Sequence, residues 1–146
     1  MTILASSQPA IVLVDDDYQS ARLMIRMLAA HDGPPVSNIA DPDEAAANLT
    51  AAAGVSSDTE QPMVLVDLKS SSAATGDFVA RLKREVPSLL VVAMAPSLDR
   101  DTRNTLLDAG AAAVFERHAD LDLYRREAAS IVSFWVRNQR LDAVGA

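Results

Sequence analysis

The chain contains no cysteine, which excludes disulfides, thiol nucleophiles and cysteine-ligated zinc. Its two histidines cannot complete a zinc site by themselves, so any metal is expected on oxygen ligands. Basic residues are in deficit, 13 Lys and Arg against 20 Asp and Glu, for a formal net charge of -7. With no basic run to neutralise phosphates, DNA and RNA are not expected partners. No stretch approaches the ~18 uninterrupted apolar residues of a membrane span. Met1 to Gln8 carry neither the basic start nor the apolar run of a leader. No membrane association and a cytoplasmic location are therefore expected. Internal repeats and sustained heptads are also missing, which sets repeat architectures aside.

What is present is 146 residues, 49% hydrophobic and 23% charged, the size and balance of one ordinary globular domain. Short β-branched runs alternate with helical patterns. Ile11-Val12-Leu13-Val14 is a continuous apolar run stopped by Asp15-Asp16-Asp17, the pattern of a strand buried on both faces. Leu23, Met24, Met27 and Leu28 then recur at helical spacing until His31-Asp32-Gly33-Pro34-Pro35 closes the first helix. A weaker second strand over Val36 to Ala40 leads into Asp41-Pro42-Asp43-Glu44, which suits a helix start, and a second helix to about Ala53. After turn-rich Gly54 to Gln61 comes Met63-Val64-Leu65-Val66, a third strand again ended by an acid, Asp67. Lys69 to Gly76 has loop chemistry, and Phe78, Val79, Leu82 and Val86 give the third helix its apolar face before Pro87. A fourth strand covers Leu89 to Met94, a fourth helix runs from about Asp101 to Asp108 and ends at Ala109-Gly110, and a fifth strand is Ala113 to Phe115. The last helix runs from near Asp120 to about Arg137. Five such units predict an α/β fold with a parallel sheet in the doubly wound order 2-1-3-4-5.

In that order strands 1 and 3 are neighbours, and their carboxyl ends flank the point where open α/β sheets bind ligands. Asp15, Asp16 and Asp67 therefore converge, and like charges this close resist full ionisation unless a cation joins them. Mg²⁺ or Mn²⁺ suits a sparse set of carboxylates completed by water and phosphoryl oxygens. An Asp beside such a metal can attack a phosphoryl group to give an acyl phosphate, and Asp67, alone at its strand end, is the candidate. The plainer alternative is that these acids cap the first helix and solvate loops.

Ile11 to Asp16, Val64-Leu65-Val66-Asp67 and Asp108-Ala109-Gly110-Ala111 together resemble the receiver domain of two-component response regulators. The resemblance spans residues 9 to 137 and leaves 138 to 146 as a short tail. It implies a flavodoxin-like (βα)5 receiver fold, with a phosphoryl group passed from a sensor histidine kinase to Asp67. It also implies that Asp15, Asp16 and Asp67 hold Mg²⁺ or Mn²⁺, with the Lys69 backbone carbonyl as a further ligand. The long last helix, with Ser133-Phe134-Trp135 near its end, is similar to that of single-domain receivers serving phytochrome-type kinases.

The sequence also departs from that pattern. Receivers usually carry Ser or Thr at the end of strand 4 to bind the phosphoryl group, and the equivalent here is Ala95, whose methyl cannot make that bond. Ser97 substitutes only if the following loop shifts; otherwise it caps the fourth helix. The family's Lys-Pro after strand 5 is replaced by Arg117-His118, which keeps a positive charge but changes its reach and planarity. A cis bond before His118 would cost about 2.5 to 4 kcal/mol, so a trans bond and a re-routed loop are expected, with Arg117 free to point elsewhere. The loop after Asp67 is one residue longer than usual, and Val114 stands where an aromatic switch is customary. Two functions compete: a receiver still phosphorylated on Asp67, which the intact acids favour and which is the expectation, and, as the alternative, a pseudo-receiver interaction module in which Arg117 pairs with Asp67.

Asp15-Asp16-Asp17 also contains the Asp-x-Asp spacing of haloacid-dehalogenase-like phosphatases, but Tyr18-Gln19 and the lack of a later paired-acid motif oppose that reading. A flavin site wants phosphate-cradling Ser, Thr or Gly after strand 1, where three acids stand. The chain is thus expected to be no enzyme. His31 and His118 fall in loops, where a histidine is usually neither ligand nor phosphoacceptor. Leu121, Tyr124, Ala128, Ile131 and Trp135 form a helical stripe, consistent with a core-facing last helix. The functional alternative is a homodimer anchored by Tyr124, Phe134, Trp135 and Leu141 at the overhanging helix end. Only about nine residues follow Arg137, too few for an output domain, so output by protein contacts is expected.

Overall fold

A computed structural model describes residues 10–55 and 61–145; the side chains at 55 and 140–145 lie outside the description. Ten elements alternate along the chain: β1 (Ile11–Asp15), α1 (Tyr18–Ala30), β2 (Val36–Ile39), α2 (Pro42–Val55), β3 (Met63–Asp67), α3 (Ala74–Glu85), β4 (Leu90–Ala95), α4 (Arg100–Ala109), β5 (Val114–Glu116) and α5 (Leu121–Gly145). The five strands form one sheet in the order β2-β1-β3-β4-β5, every neighbouring pair parallel. The strand runs read from the sequence match these strands to within a residue or so at each end.

Successive strand residues face opposite sides, so each central strand feeds two cores. Val12, Val14, Val64 and Val66 pack with Ala45, Leu49, Phe78, Leu82 and Leu106 beneath α2, α3 and α4. Ile11, Leu13, Met63 and Leu65 pack with Met24, Leu28, Phe115, Tyr124 and Ile131 beneath α1 and α5. Burying each large aliphatic side chain contributes about 1.5 to 3 kcal/mol. Between α3 and α4 the small residues Gly76, Ala80, Ala95 and Ala109 border a groove of about 710 Å³.

The helix ends follow ordinary capping chemistry. The Asp17 side chain accepts the Gln19 and Ser20 N–H groups and starts α1. Gly110, at φ 122°, closes α4, and a Cβ there would meet Lys83 Cγ at 2.6 Å, so only glycine fits without displacement.

Two expectations are corrected at α5. The helix does not stop near Arg137 but continues through Gly145, because no Gly or Pro interrupts the chain from Leu121 to Val144. Residues 138 to 145 are therefore helical rather than a separate tail. Nor is Tyr124 a dimer anchor: it is 5% exposed within the core. Phe134 and Trp135 are half-buried against the same core, with the Phe134 ring edge-on to Phe115 at 6.0 Å, so these aromatics cover their own domain. The Leu141 side chain lies outside the described residues. Among the described residues no helix is long and apolar enough to cross a membrane.

Candidate functional site

The strand ends of β1 and β3 build the site. Asp15 pairs in register with Asp67, and the two carboxylates, at 0% and 1% exposure, are placed at the carboxyl edge of the sheet centre. Burial of two adjacent acids is unfavourable unless counter-charge is supplied. The chain supplies it from two loops.

Arg117, just beyond β5, donates from Nη2 to Asp67 Oδ1 at 2.7 Å and from Nε to the same oxygen at 3.1 Å. Its backbone N–H is held by the Ala95 carbonyl at 2.7 Å, which fixes the root of the side chain beside the site. Among the described residues no peptide bond is cis, so the Arg117–His118 bond is trans as expected, yet the arginine turns into the site rather than away. Lys69, in the loop after β3, places Nζ 2.8 Å from Asp15 Oδ1 and 3.0 Å from Asp67 Oδ2, and 3.3 Å from the Asp67 carbonyl. Both oxygens of Asp67 are therefore ion-paired with a cationic side chain. Asp15 Oδ1 also accepts the Asp17 N–H, whereas Oδ2 is buried without a partner. Burial pushes the Asp15 carboxyl above its ordinary value, against the opposing pull of the Lys69 ammonium and the Asp17 N–H.

The three consecutive acids have three jobs. Asp15 faces Asp67 and Asp17 caps α1. Asp16, expected in the metal cluster, instead accepts the backbone N–H groups of Lys69 at 2.9 Å and Ser70 at 3.1 Å. It pins the loop between β3 and α3 to β1. Thr75 fastens the same loop from the other side: its buried hydroxyl accepts the Leu68 N–H at 3.0 Å and lies 3.3 Å from the Leu68 carbonyl.

The remaining candidates lie outside this cluster. Ala95 presents only a methyl. Ser97 does not replace it: its hydroxyl donates to Asp99 Oδ2 and accepts the Asp99 N–H, bracing the residue that caps α4. His118 stands between Glu116 and Glu127, at 3.9 and 3.7 Å, and His31 caps the end of α1.

The Lys69 and Thr75 side chains were not singled out by the sequence reading, which considered only the Lys69 carbonyl. A signal for Lys69 was available, since buried acids need nearby cations and Lys69 lies two residues from Asp67. A divalent ion was the expected cation, and its donor set can be tested against these contacts. Of the oxygens of Asp15, Asp16 and Asp67, only Asp15 Oδ2 lacks a partner. Two carboxylates opposed by one ammonium and one guanidinium are already neutral as a group. Among the described residues no three His, Asp or Glu side chains are placed to hold a metal. The residues as arranged do not fit Mg²⁺ or Mn²⁺.

Comparison with known proteins places the fold. No protein-family model matches the sequence, and no curated protein matches it. Solved structures match over most of the chain, response regulator receiver domains among them. The phosphorylated cyanobacterial phytochrome response regulator RcpA is 24% identical, with a TM-score of 0.69 over 86% of this chain and 92% of that one. A response regulator receiver domain from Rhodospirillum rubrum is 17% identical, with a TM-score of 0.72 over 86% and 92%. The Mn²⁺-bound form of the response regulator Rcp1 is 20% identical, with a TM-score of 0.66 over 86% and 92%. The chain thus has the flavodoxin-like receiver fold.

Proposed function

We propose that the chain is a charge-locked receiver: a signalling module of the two-component type, with Asp67 held at rest as an internally paired carboxylate. It acts by binding proteins, a sensor histidine kinase among them, and turns over no external substrate. The observation that carries this reading is the ion pairing of both Asp67 oxygens, Oδ1 with Arg117 and Oδ2 with Lys69. A carboxylate attacks phosphorus through a lone pair that faces the donor, and two Arg117 hydrogen bonds to Oδ1 with the Lys69 ammonium 3.0 Å from Oδ2 withdraw that density. Ala95 adds no hydroxyl to receive a phosphoryl oxygen. A positive side chain on the carboxylate also supplies the local charge balance that would otherwise come from a bound ion.

A second reading keeps Asp67 as phosphoacceptor. It is favoured by the 24% and 28% exposure of the Lys69 and Arg117 side chains, which leaves both a path to withdraw into solvent, and by the unpartnered Asp15 Oδ2. Once Lys69 has withdrawn, Asp15, Asp67 and the Lys69 carbonyl would hold Mg²⁺, which would neutralise charge on the incoming group.

Intact mass spectrometry decides between them, after incubation with Mg²⁺ and either acetyl phosphate or a phosphorylated sensor histidine kinase, beside an Asp67→Asn control. The expected result is no phosphoryl adduct on the wild type. An adduct on the wild type that is missing from Asp67→Asn would replace the charge lock with the phosphoacceptor reading.

A further inference from the structure

The Lys69 ammonium has a cradle built for it. The ammonium donates to Asp15 Oδ1 at 2.8 Å and to the Asp67 carbonyl at 3.3 Å, and is ion-paired with Asp67 Oδ2 at 3.0 Å. The backbone that carries it is also fixed, because the Lys69 N–H is bonded to Asp16 Oδ1 at 2.9 Å and Leu68 is held by Thr75. Little backbone freedom is left to lose when the side chain reaches inward. A divalent ion such as Mg²⁺, with bonds of about 2.0 to 2.1 Å, would need the same two carboxylate oxygens and the space where Nζ lies. Metal and ammonium are competing occupants.

We infer that the Lys69 ammonium is the resident cation of the Asp15–Asp67 pair and excludes divalent metal from it. This rests on the charge-locked reading of Asp67 and identifies which side chain keeps the metal out. Arg117 cannot do so, since it approaches Asp67 through Oδ1 and makes no contact with Asp15 among the described residues. Removing the Lys69 charge takes the cation from Asp67 Oδ2 and from Asp15 Oδ1, which keeps only the Asp17 N–H, and leaves two buried acids facing a single guanidinium, the condition under which a metal is drawn in.

The test is Mn²⁺ binding, followed by calorimetry and by the electron paramagnetic resonance of free Mn²⁺, for the wild type, Lys69→Ala, Lys69→Arg and Lys69→Ala combined with Asp67→Asn. Lys69→Ala is expected to bind Mn²⁺ about tenfold or more tightly than the wild type. Lys69→Arg, which restores a cation, is expected to stay as weak as the wild type, and the double variant is expected to lose the gain. Lys69→Gln keeps a polar side chain of similar reach without its charge, and takes the place of Lys69→Ala if that variant does not fold. Equal Mn²⁺ affinity in the wild type and the charge-removed variants would overturn the inference, as would a gain that survives Asp67→Asn. A phosphoryl adduct on the wild type overturns the charge lock and with it the inference that rests on it, whereas equal Mn²⁺ affinities overturn the Lys69 assignment and leave the charge lock standing.

Discussion

The two faces of the sheet are built to different tolerances. Beneath α1 and α5 the core is made of large side chains, with Met24, Leu28 and Ile131 at 0 to 1% exposure and Phe115 and Tyr124 close behind. Beneath α2, α3 and α4 valine and alanine predominate around Phe78, Leu82 and Leu106, and a groove of about 710 Å³ runs between α3 and α4 to the edge of the acid site, where Lys69 and Arg117 line it. Close packing resists displacement because any shift forfeits many contacts at once. A face bordered by small residues has fewer to forfeit. The acid site therefore sits where a closely filled face meets a face opened by a groove.

The sharpest way to break this contrast is to cut one large residue from each face. Ile131→Ala should lose about 4 kcal/mol and Leu106→Ala, on α4 beside the groove, about 2 kcal/mol, both read by urea denaturation. A reversed order would mean that the groove face carries the greater share of stability. The converse experiment adds volume. Ala128→Met, at 0% exposure under α5, should cost about 1 to 3 kcal/mol by overpacking, whereas Ala80→Met, on the groove wall, should change stability by less than about 1 kcal/mol.

The smallest effect concerns Tyr124, whose hydroxyl is buried beside the Ser20 side chain. Burial is the main force raising its phenol to about 12, with the Asp67 charge adding to it. A phenol whose folded pKa exceeds its unfolded value of 10.0 contributes stability that is complete below pH 10 and lost as pH rises towards 12. Tyr124→Phe should thus be close to neutral at pH 7 and lose less stability than the wild type in that alkaline window.

The fold was largely legible because uninterrupted apolar runs such as Met63-Val64-Leu65-Val66 permit few placements other than central strands, and the acids that end them mark the carboxyl edge. The meeting of Asp15 and Asp67 follows from that register. The partners of those acids were harder to read. Lys69 opens a stretch of serines and alanines that reads as solvated loop, and its inward course depends on Asp16, 53 residues away in sequence. Asp15, Asp16 and Asp17 are chemically identical letters, and only their positions along the strand exit separate a buried counter-charge, a loop anchor and a helix cap. Arg117 was legible as one of two alternatives, since its inward turn depends on where β5 ends relative to β4. The length of α5 was open to prediction, because nothing in the sequence stops it before Gly145.

The two hydrogen bonds from the Lys69 and Ser70 amides to Asp16 give the β3–α3 loop a latch with both prongs on one carboxylate. The lysine held by that latch is the one whose side chain reaches Asp15 and Asp67, so the geometry of the loop and the masking of the acids are tied through a single residue.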